Sequence, residues 1–294
     1  MNALARAGDA LIALAGAEPT VPARWAQVTI ASGGLGVVVR LSQVGGIAAA
    51  ETWIADLAAG RTWDERALSP IPHARFSLDV DAGTGHVLGG AGRVRLAARI
   101  GVGSELLVNL GGVLVDITLD ARGAPEPMTI TARETGRIML RRHVGLTLTG
   151  RVRVGSEARA VEGTEAMIEV ADLDLPRAIR WSSAALLGRP ASYLSDLGPA
   201  SAPIDNVAWT AGGARALGAA DFALPEPGRP GRGPWTIGSR DDRGALAFTP
   251  RAVRTARAGL GAGTHAWVFG SLTGRVDEAV VDGAVGLCEA RDWS

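Results

Sequence analysis

The stretch Val144-Gly-Leu-Thr-Leu-Thr-Gly-Arg-Val-Arg-Val154 alternates apolar and polar residues. In an extended chain its valines and leucines fall on one face, and its threonines and arginines fall on the other. Such alternation is typical of an antiparallel strand that is buried on one face and solvated on the other. The stretch therefore predicts a half-buried β-strand.

Runs of the same kind recur along the chain, and short turn sequences separate them. Asp81-Ala-Gly-Thr-Gly85 and Asp241-Asp-Arg-Gly244 carry the Asp and Gly residues that tight turns favour. Many short strands without long helices between them predict an all-β barrel or sandwich. The further predicted strands are Val94–Ile100, Leu106–Leu119, Met128–Arg133, Met167–Leu173, Trp235–Ser239, Ala245–Thr249 and His265–Val276.

Two segments are candidates for helices. Residues 1–19 are rich in alanine and contain Gly16 and Pro19, which are helix-stopping residues. Their apolar part is too short for a typical signal peptide, so a short N-terminal helix is the favoured interpretation. The second candidate is Ile47–Ala59. We expect the N-terminal helix at residues 1–19, one β domain at residues 20–143 and another at residues 144–294.

The composition excludes several classes of function. The 294 residues include thirty basic and thirty acidic side chains, so there is no basic surface for nucleic acid. Every basic residue is arginine, which excludes Schiff-base and P-loop lysine chemistry. No apolar run approaches the roughly 20 residues of a membrane span. The single cysteine, Cys288, fits a reducing compartment, so we expect a cytoplasmic protein. The sequence does not determine the oligomeric state.

Cofactor motifs are absent. The glycine-rich stretch Gly83–Gly90 is followed by a predicted strand, whereas a dinucleotide loop needs a helix there. The four histidines lack the spacing of metal ligands. The serine of Gly270-Ser-Leu-Thr-Gly274 is one position too early for a nucleophile elbow. We therefore expect neither a metal nor a nucleotide cofactor.

Tryptophan is unusually frequent, with eight residues against four Phe and one Tyr. In the strand beginning at His265, one face carries His265, Trp267 and Phe269 together with hydroxyl side chains. Aromatic and hydroxyl groups on one face suit the lining of a cavity for an apolar ligand. An outer face covered by another segment is an equally good interpretation.

The charged stretch Val170–Trp181 is the second candidate site. In a strand, Asp172 and Asp174 share a face, and Pro176 then ends the hydrogen-bonded ladder before Arg180. A structural cluster of ion pairs is the favoured interpretation. The alternative is a cavity site in which a carboxylate beside an arginine acts as acid, base or cation stabiliser.

The C-terminal half carries a set of segments that resembles a known family. The set includes Val144–Gly155, Ala171-Asp-Leu-Asp174, Arg180-Trp181, Asp205-Asn-Val-Ala-Trp209, Gly233–Arg240, Leu246–Pro250, Phe269–Gly274 and Val281–Glu289. In this order they resemble domain-of-unknown-function family 2804, which is lipocalin-like and distantly similar to AttH-like and hydroxyneurosporene synthase (carotenoid hydratase) proteins. The resemblance implies two consecutive lipocalin-like antiparallel β-barrels or sandwiches. It places the polar cluster of the family on Asp172 or Asp174, Arg180 and Trp181, although Trp181-Ser-Ser-Ala184 stands where the family has Trp-x-Trp-Ala.

Two functions follow as expectations. The first is an enzyme that acts on an apolar isoprenoid- or polyketide-like small molecule by acid–base hydration, isomerisation or cyclisation. The second is a non-catalytic carrier of such molecules, and a β protein without a ligand is a third possibility. The candidate catalytic residues are Asp172, Asp174 and Arg180. The candidate ligand-binding residues are Trp181, Trp209, Trp235, His265, Trp267 and Phe269.

Overall fold

A computed structural model describes residues 20–44, 47–70, 75–79, 84–89, 92–99, 103–132, 138–176, 180–188, 190–196, 206–210, 213–226, 229–257 and 264–292. Within these ranges the chain forms strands and turns and contains no helix, so the all-β prediction is confirmed. The N-terminal helix predicted at residues 1–19 lies outside the described residues. The chain divides into two compact units. The first unit consists of Pro22–Thr129 and Met139–Leu173, and Asp174–Ser294 forms most of the second.

The described strands, in chain order, are β1 (Thr20–Ser32), β2 (Leu35–Val44), β3 (Ile47–Asp56), β4 (Arg61–Pro70), β5 (Arg75–Asp79), β6 (Thr84–Gly89), β7 (Gly92–Arg99), β8 (Gly103–Leu110), β9 (Val113–Asp120), β10 (Met128–Ala132), β11 (Ile138–Val144), β12 (Thr147–Val154), β13 (Glu157–Gly163), β14 (Ala166–Pro176), β15 (Arg180–Leu186), β16 (Ala191–Asp196), β17 (Val207–Thr210), β18 (Gly213–Ala216), β19 (Ala220–Ala223), β20 (Trp235–Ser239), β21 (Gly244–Arg257), β22 (Thr264–Val276) and β23 (Ala279–Asp292). Each strand predicted from the sequence falls on one of these or on a hairpin. The predicted strand Leu106–Leu119 is the hairpin β8–β9, which turns at Gly111 and Gly112 with φ angles of 57° and 89°.

The first unit is built on two seven-stranded sheets, ordered β10-β11-β14-β1-β2-β3-β4 and β13-β12-β9-β8-β7-β6-β5. Apolar side chains from both sheets, such as Ile30 and Val39 from the first and Val115 and Leu148 from the second, form one buried core. Thr147–Val154 form β12, whose Leu148 is buried and whose Arg151 is exposed. Val144 instead ends β11 in the other sheet, so the single strand predicted at Val144–Val154 is interrupted at Gly145 and Leu146. Because β12 pairs with β9 and β13, the domain boundary expected at residue 144 lies inside this unit.

The helix expected at Ile47–Ala59 is wrong. Residues 47–56 form β3, which is paired along its whole length with β2 on one side and β4 on the other. Ala50 and Ile54 alternate into the apolar core. The high helix propensity of alanine is worth only a few tenths of a kcal/mol per residue, and pairing and burial on both sides outweigh it.

Asp56, at the end of β3, ties the two sheets of the first unit together. Its Oδ1 accepts hydrogen bonds from the backbone amides of Ala58 (3.1 Å) and Ala59 (2.8 Å) in the turn that follows. Its Oδ2 lies 2.6 Å from Nη2 of Arg159 in β13. The amide of Ala59 and the guanidinium of Arg159 favour the carboxylate and lower the pKa of Asp56 to about 2.

The low pKa of Asp56 predicts a pH-dependent contribution to stability. Since the pKa is lower in the folded chain than in the unfolded chain, the stabilisation is fully present above about pH 4 and is lost as the pH falls towards about 2. We expect Asp56→Asn to melt at a lower temperature than the wild type at pH 7 and at nearly the same temperature at pH 2. Thermal melts between pH 2 and pH 7 test this expectation, with a variant of the exposed Asp116, Asp116→Asn, as the control. A melting difference that persists unchanged at pH 2 would contradict the prediction.

The second unit contains a nine-stranded antiparallel sheet, ordered β18-β17-β16-β15-β23-β22-β21-β20-β19. The sheet curls into a half-barrel, and β16 and β19 contact each other although five strands separate them in the sheet. Its apolar core includes Trp235, Phe248, Val268 and Cys288. Burial raises the pKa of the Cys288 thiol well above its usual value, so this residue is a small apolar core side chain.

Gly270 in β22 is a position where the fold requires glycine for reasons of space. A Cβ atom there would lie 2.2 Å from the carbonyl oxygen of Thr249 and 2.6 Å from two ring carbons of Phe248. Neither neighbour can move easily, because one is backbone of β21 and the other is a buried ring. We expect Gly270→Ala to lower the free energy of unfolding by about 1–3 kcal/mol.

Chemical denaturation of Gly270→Ala tests this steric prediction. The matched control is Gly238→Ala in β20, where a Cβ atom would have its nearest neighbour at 3.9 Å. Equal stability of the two variants would show that β21 and β22 can separate to accept a methyl group.

Candidate functional site

The charged stretch around Asp172 is only partly described. Asp172 in β14 is buried, and its Oδ2 lies 3.2 Å from Nε of Arg24 in β1. Asp172 has the strand parity of Val170, which belongs to the apolar core of the first unit. The side chains of Asp174, Arg180 and Trp181 lie outside the described side chains. The predicted cluster of these four residues therefore stays a prediction.

The predicted aromatic residues lie on both faces of the sheet in the second unit. His265, Trp267 and Phe269 alternate with the core residue Val268, so they lie on the face opposite the apolar core. The register across β15, β16 and β17 places Trp209 on the same face as Phe269. Trp235 lies on the core side, where its ring packs edge-on against Phe248 at 5.5 Å and its Nε1 donates to the carbonyl of Pro230 (2.8 Å).

A polar cluster occupies the face opposite the core in the second unit. Nε2 of His265 in β22 lies 2.9 Å from Oε2 of Glu289 in β23. The imidazole packs edge-on against Trp267, with the ring centroids 4.9 Å apart. Cζ of Arg254 in β21 lies 4.5 Å from the centroid of the Trp267 ring. We call Arg254, His265, Trp267 and Glu289 the second-unit cluster, and all four residues are less than a tenth exposed.

The strand register explains how the second-unit cluster assembles. Trp267 is directly opposite Arg254 on one side and Glu289 on the other, and His265 is two residues away on the same face. A carboxylate can only accept a hydrogen bond, so Nε2 of His265 carries the hydrogen that it shares with Glu289. Protonation of this ring therefore changes at Nδ1. A buried imidazole oriented by a carboxylate is an arrangement found in sites of acid–base catalysis.

The first unit carries a comparable polar cluster on the face of its first sheet opposite the core. Glu169 in β14 accepts from both sides: Nε1 of Trp25 in β1 donates to Oε1 (2.6 Å), and Nε of Arg142 in β11 donates to Oε2 (3.0 Å). Nη2 of Arg142 also donates to Oε2. The side chain of Arg142 is completely buried. Cζ of Arg40 in β2 lies 5.6 Å from the centroid of the Trp25 ring. We call Trp25, Arg40, Arg142 and Glu169 the first-unit cluster.

Polar contacts continue from the first-unit cluster across the same sheet face. Arg40 is directly opposite Glu51 of β3, and Glu51 is directly opposite Arg66 of β4. Oε1 of Glu51 lies 3.3 Å from Nε of Arg66, which is about a third exposed. On β1, β2 and β3 this face is buried, as Gln27, Arg40 and Glu51 show, although it does not pack on the apolar core. Burying charges costs free energy unless they are paired.

Sequence reasoning did not identify Glu169, Arg142 or Glu289. Glu169 has the opposite strand parity to Asp172. Arg142 precedes Glu169 by twenty-seven residues and lies in another strand. Only the order of the strands in the sheet brings these side chains together. Trp267 and Phe269 were found because they share one strand with His265.

Two kinds of feature do not occur among the described residues. No group of three or more His, Cys, Asp and Glu side chains is close enough to hold a metal ion in that part of the chain. In the same residues there is no helix with the length and hydropathy needed to cross a bilayer.

A family comparison identifies the chain. A family described as a domain of unknown function, DUF2804, matches residues 17–292. The chain belongs to this family. No curated protein sequence matches this DUF2804 chain.

Solved structures share the fold of this DUF2804 chain at low sequence identity. A candidate AttH protein from Nitrosomonas europaea has a TM-score of 0.63 at 14% identity, covering 94% of this chain and 93% of its own. Kievitone hydratase from Nectria haematococca has a TM-score of 0.58 at 13% identity, with coverages of 95% and 93%. CghA with Sch210972 has a TM-score of 0.53 at 13% identity, with coverages of 93% and 89%. The DUF2804 chain therefore has the lipocalin-like fold of AttH-like proteins, as the sequence resemblance predicted.

Proposed function

We propose that this protein is a cofactor-independent enzyme that binds an apolar isoprenoid- or polyketide-like molecule and transfers a proton on it. The reaction is a hydration, an isomerisation or a cyclisation. The observation that carries the proposal is the buried pair of His265 and Glu289, 2.9 Å apart, on the sheet face opposite the apolar core. A stable core does not need an ionisable pair at this position, whereas acid–base catalysis does.

His265 and Glu289 together can transfer a proton to and from a ligand. Glu289 holds the Nε2 hydrogen of His265, and Trp267 packs against the ring, so the direction of Nδ1 is fixed. In a hydration, Nδ1–H of the imidazolium protonates one carbon of a C=C bond, water adds at the neighbouring carbon, and the surplus proton returns to Nδ1. In an isomerisation, Nδ1 instead accepts the proton from the adjacent carbon. No external oxidant or reductant is needed in either case.

Several observations support an apolar ligand. Trp209, Trp267 and Phe269 share the sheet face of the His265 pair and surround it with large, buried aromatic side chains. A fold of two consecutive lipocalin-like β domains is suited to ligands of this kind. Kievitone hydratase, a hydratase by its name, has a similar fold, which supports hydration as one of the proposed reactions. The single buried Cys288 fits the reducing cytoplasm, where we place the enzyme.

We propose the catalytic role for the pair of His265 and Glu289 in place of Asp172. Asp172 faces Arg24 and has the strand parity of core residues, which favours a structural ion pair. Asp174 and Arg180 remain candidate participants, and Trp181 remains a candidate for ligand binding.

A non-catalytic carrier is the second candidate function. It is favoured by the tryptophan-rich face, because apolar binding alone needs aromatic surface and no proton transfer. The two functions differ in whether the ligand exchanges hydrogen with solvent.

Incubation with candidate ligands in deuterium oxide tests the proposal. Prenylated phenols, isoprenoid alkenes and polyketide dienes are incubated with the protein, and mass spectrometry follows deuterium at carbon or addition of water. We expect incorporation with the wild-type protein and far slower incorporation with His265→Gln. Tight binding without any incorporation by the wild type would establish the carrier instead.

A further inference from the structure

Trp267 stands between two opposite charges in the second-unit cluster. It lies in β22, directly opposite Arg254 of β21 on one side and Glu289 of β23 on the other. Adjacent strands are about 5 Å apart, so the backbones of β21 and β23 are separated by only about 10 Å. An arginine and a glutamate are long enough to meet across that distance when the residue between them is small.

The indole ring of Trp267 fills the space between these charges. Cζ of Arg254 lies 4.5 Å from the ring centroid, which is within the range of a cation–π contact. The imidazole of His265 packs edge-on against the same ring, and its Nε2 lies 2.9 Å from Oε2 of Glu289. Arg254 and Glu289 each have a further interaction besides these. Within the cluster, the guanidinium contacts the indole and the carboxylate holds the imidazole.

A guanidinium that reached Glu289 would draw the carboxylate away from His265. Arginine presents a planar fork of N–H donors that fits a carboxylate, whereas the imidazole offers one N–H here. The first unit shows such a pair, because Glu169 accepts hydrogen bonds from Nε and Nη2 of Arg142. The strands of that pair, β14 and β11, are neighbours in the sheet, so no residue stands between its two partners. In the second unit, β22 separates the strand of Arg254 from the strand of Glu289.

We propose that Trp267 is a spacer that keeps the guanidinium of Arg254 away from Glu289 and so leaves the carboxylate to orient His265. Trp267 is then a positioning residue, because it acts on the imidazole through Glu289, whether or not it also touches the ligand. Its importance for catalysis rests on the proposed function. Its effect on the pairing of His265 is measurable without any ligand.

Nuclear magnetic resonance of the Nε2 proton of His265 tests the spacer. The chain has four histidines, so protein with isotopically labelled histidine gives few imidazole signals, and His265→Gln identifies the signal of His265. We expect the wild type to show this proton, because its hydrogen bond to a buried carboxylate slows exchange with water. Trp267→Ala is expected to lose the signal, since Arg254 can then bind Glu289. Trp267→Val replaces it where the alanine variant does not fold.

The double variant Trp267→Ala/Arg254→Met is expected to regain the signal, because the competing guanidinium is gone. This recovery is specific to the spacer, since a second substitution in a merely destabilised cluster has no reason to repair it. The proposal is overturned if the folded Trp267 variant keeps the Nε2 signal of His265. It is also overturned if Arg254→Met does not restore a signal that the Trp267 variant has lost.

Phe269→Ala is the matched control. Phe269 follows Trp267 by two residues on the same strand and sheet face, and the two residues are 0% and 1% exposed. In the register it stands between Ala252 and Leu287, which carry no charge. Loss of its ring leaves a cavity of the same kind without a guanidinium directly opposite, so we expect the His265 signal to remain. Loss of the signal in both alanine variants would mean that a cavity alone releases the imidazole, and would refute the spacer.

The rate of deuterium incorporation into a ligand that the wild type turns over is the second measurement. We expect Trp267→Ala to lower this rate by up to about 100-fold, the usual effect of misplacing a reacting group. The double variant is expected to recover about 10-fold of the loss. A wild type that incorporates no deuterium would remove the proposed function, and the Nε2 signal would still decide whether Trp267 is a spacer.

Discussion

Glu169→Ala is expected to lower the free energy of unfolding by about 3–5 kcal/mol, because it removes one partner of a buried ion pair. The substitution leaves the guanidinium of Arg142, which is 0% exposed, without the carboxylate that accepts two of its hydrogen bonds. It also removes the acceptor of the Trp25 indole N–H. Guanidinium chloride denaturation followed by tryptophan fluorescence and circular dichroism measures the loss.

An exposed pair in the same unit provides the matched control. Nη2 of Arg151 and Oδ2 of Asp116 are 3.2 Å apart on neighbouring strands, and both side chains are more than half exposed. We expect Asp116→Ala to change the free energy of unfolding by at most about 1 kcal/mol, because water screens such pairs. Similar losses of unfolding free energy in Asp116→Ala and Glu169→Ala would show that burial of the Arg142–Glu169 pair does not increase the cost of breaking it.

The double variant Arg142→Met/Glu169→Leu distinguishes two contributions to stability. One is the destabilisation caused by an unpaired buried charge, and the other is the stabilisation by the ion pair itself. Two apolar side chains of similar volume leave no buried charge behind, so we expect most of the stability lost in Glu169→Ala to return. A double variant as unstable as the single one would show that the pair itself stabilises the fold.

His265→Gln is expected to lower the proton-transfer rate by about 10²- to 10⁴-fold, the usual contribution of a positioned acid–base residue. Glutamine fills a similar space and can hydrogen-bond to Glu289, but it cannot carry the proton. The rate of deuterium incorporation into a ligand that the wild type turns over is the measurement. We expect Glu289→Gln to lower the same rate less, because the imidazole remains and only its orientation is weakened.

The matched control is another buried histidine. His143 lies in the first unit, where its Nε2 is 2.8 Å from the carbonyl oxygen of Pro125, and burial lowers its pKa. Folded His143→Gln protein is expected to incorporate deuterium at the wild-type rate. Equal rates for His265→Gln and the wild type would remove His265 from the catalytic role.

The strands could be predicted from the sequence because alternation of apolar and polar residues is a local property. The stretch Val144–Val154 shows this, since each valine and leucine of β12 that is described as buried was assigned to the buried face. The Ala-rich β3 could not be predicted in this way. Both of its faces are buried, so alternation is missing, and its pairing with β2 and β4 replaces the helix that alanine favours.

The sequence predicted only those residues of the second-unit cluster that lie together on one strand. His265, Trp267 and Phe269 follow each other at a spacing of two, so their common face was visible in the sequence. Their partners Glu289 and Arg254 lie on two other strands, and the register between strands decides that they face Trp267. A two-residue turn joins β22 to β23, but an irregularity between Leu272 and Gly274 shifts the register by one residue, and the sequence does not reveal that shift.

By itself, the sequence determined the fold class, the faces of the strands and the absence of lysine chemistry, because these depend on residues close together in the chain. Tertiary structure alone decided the pairing of Glu169 with Arg142 and Trp25, and of Glu289 with His265. Ion pairs and hydrogen bonds act over a few ångströms, and hydrogen-bonded residues such as Trp25 and Glu169 are 144 positions apart in the chain. Only the order of the strands in each sheet brings such residues within that distance.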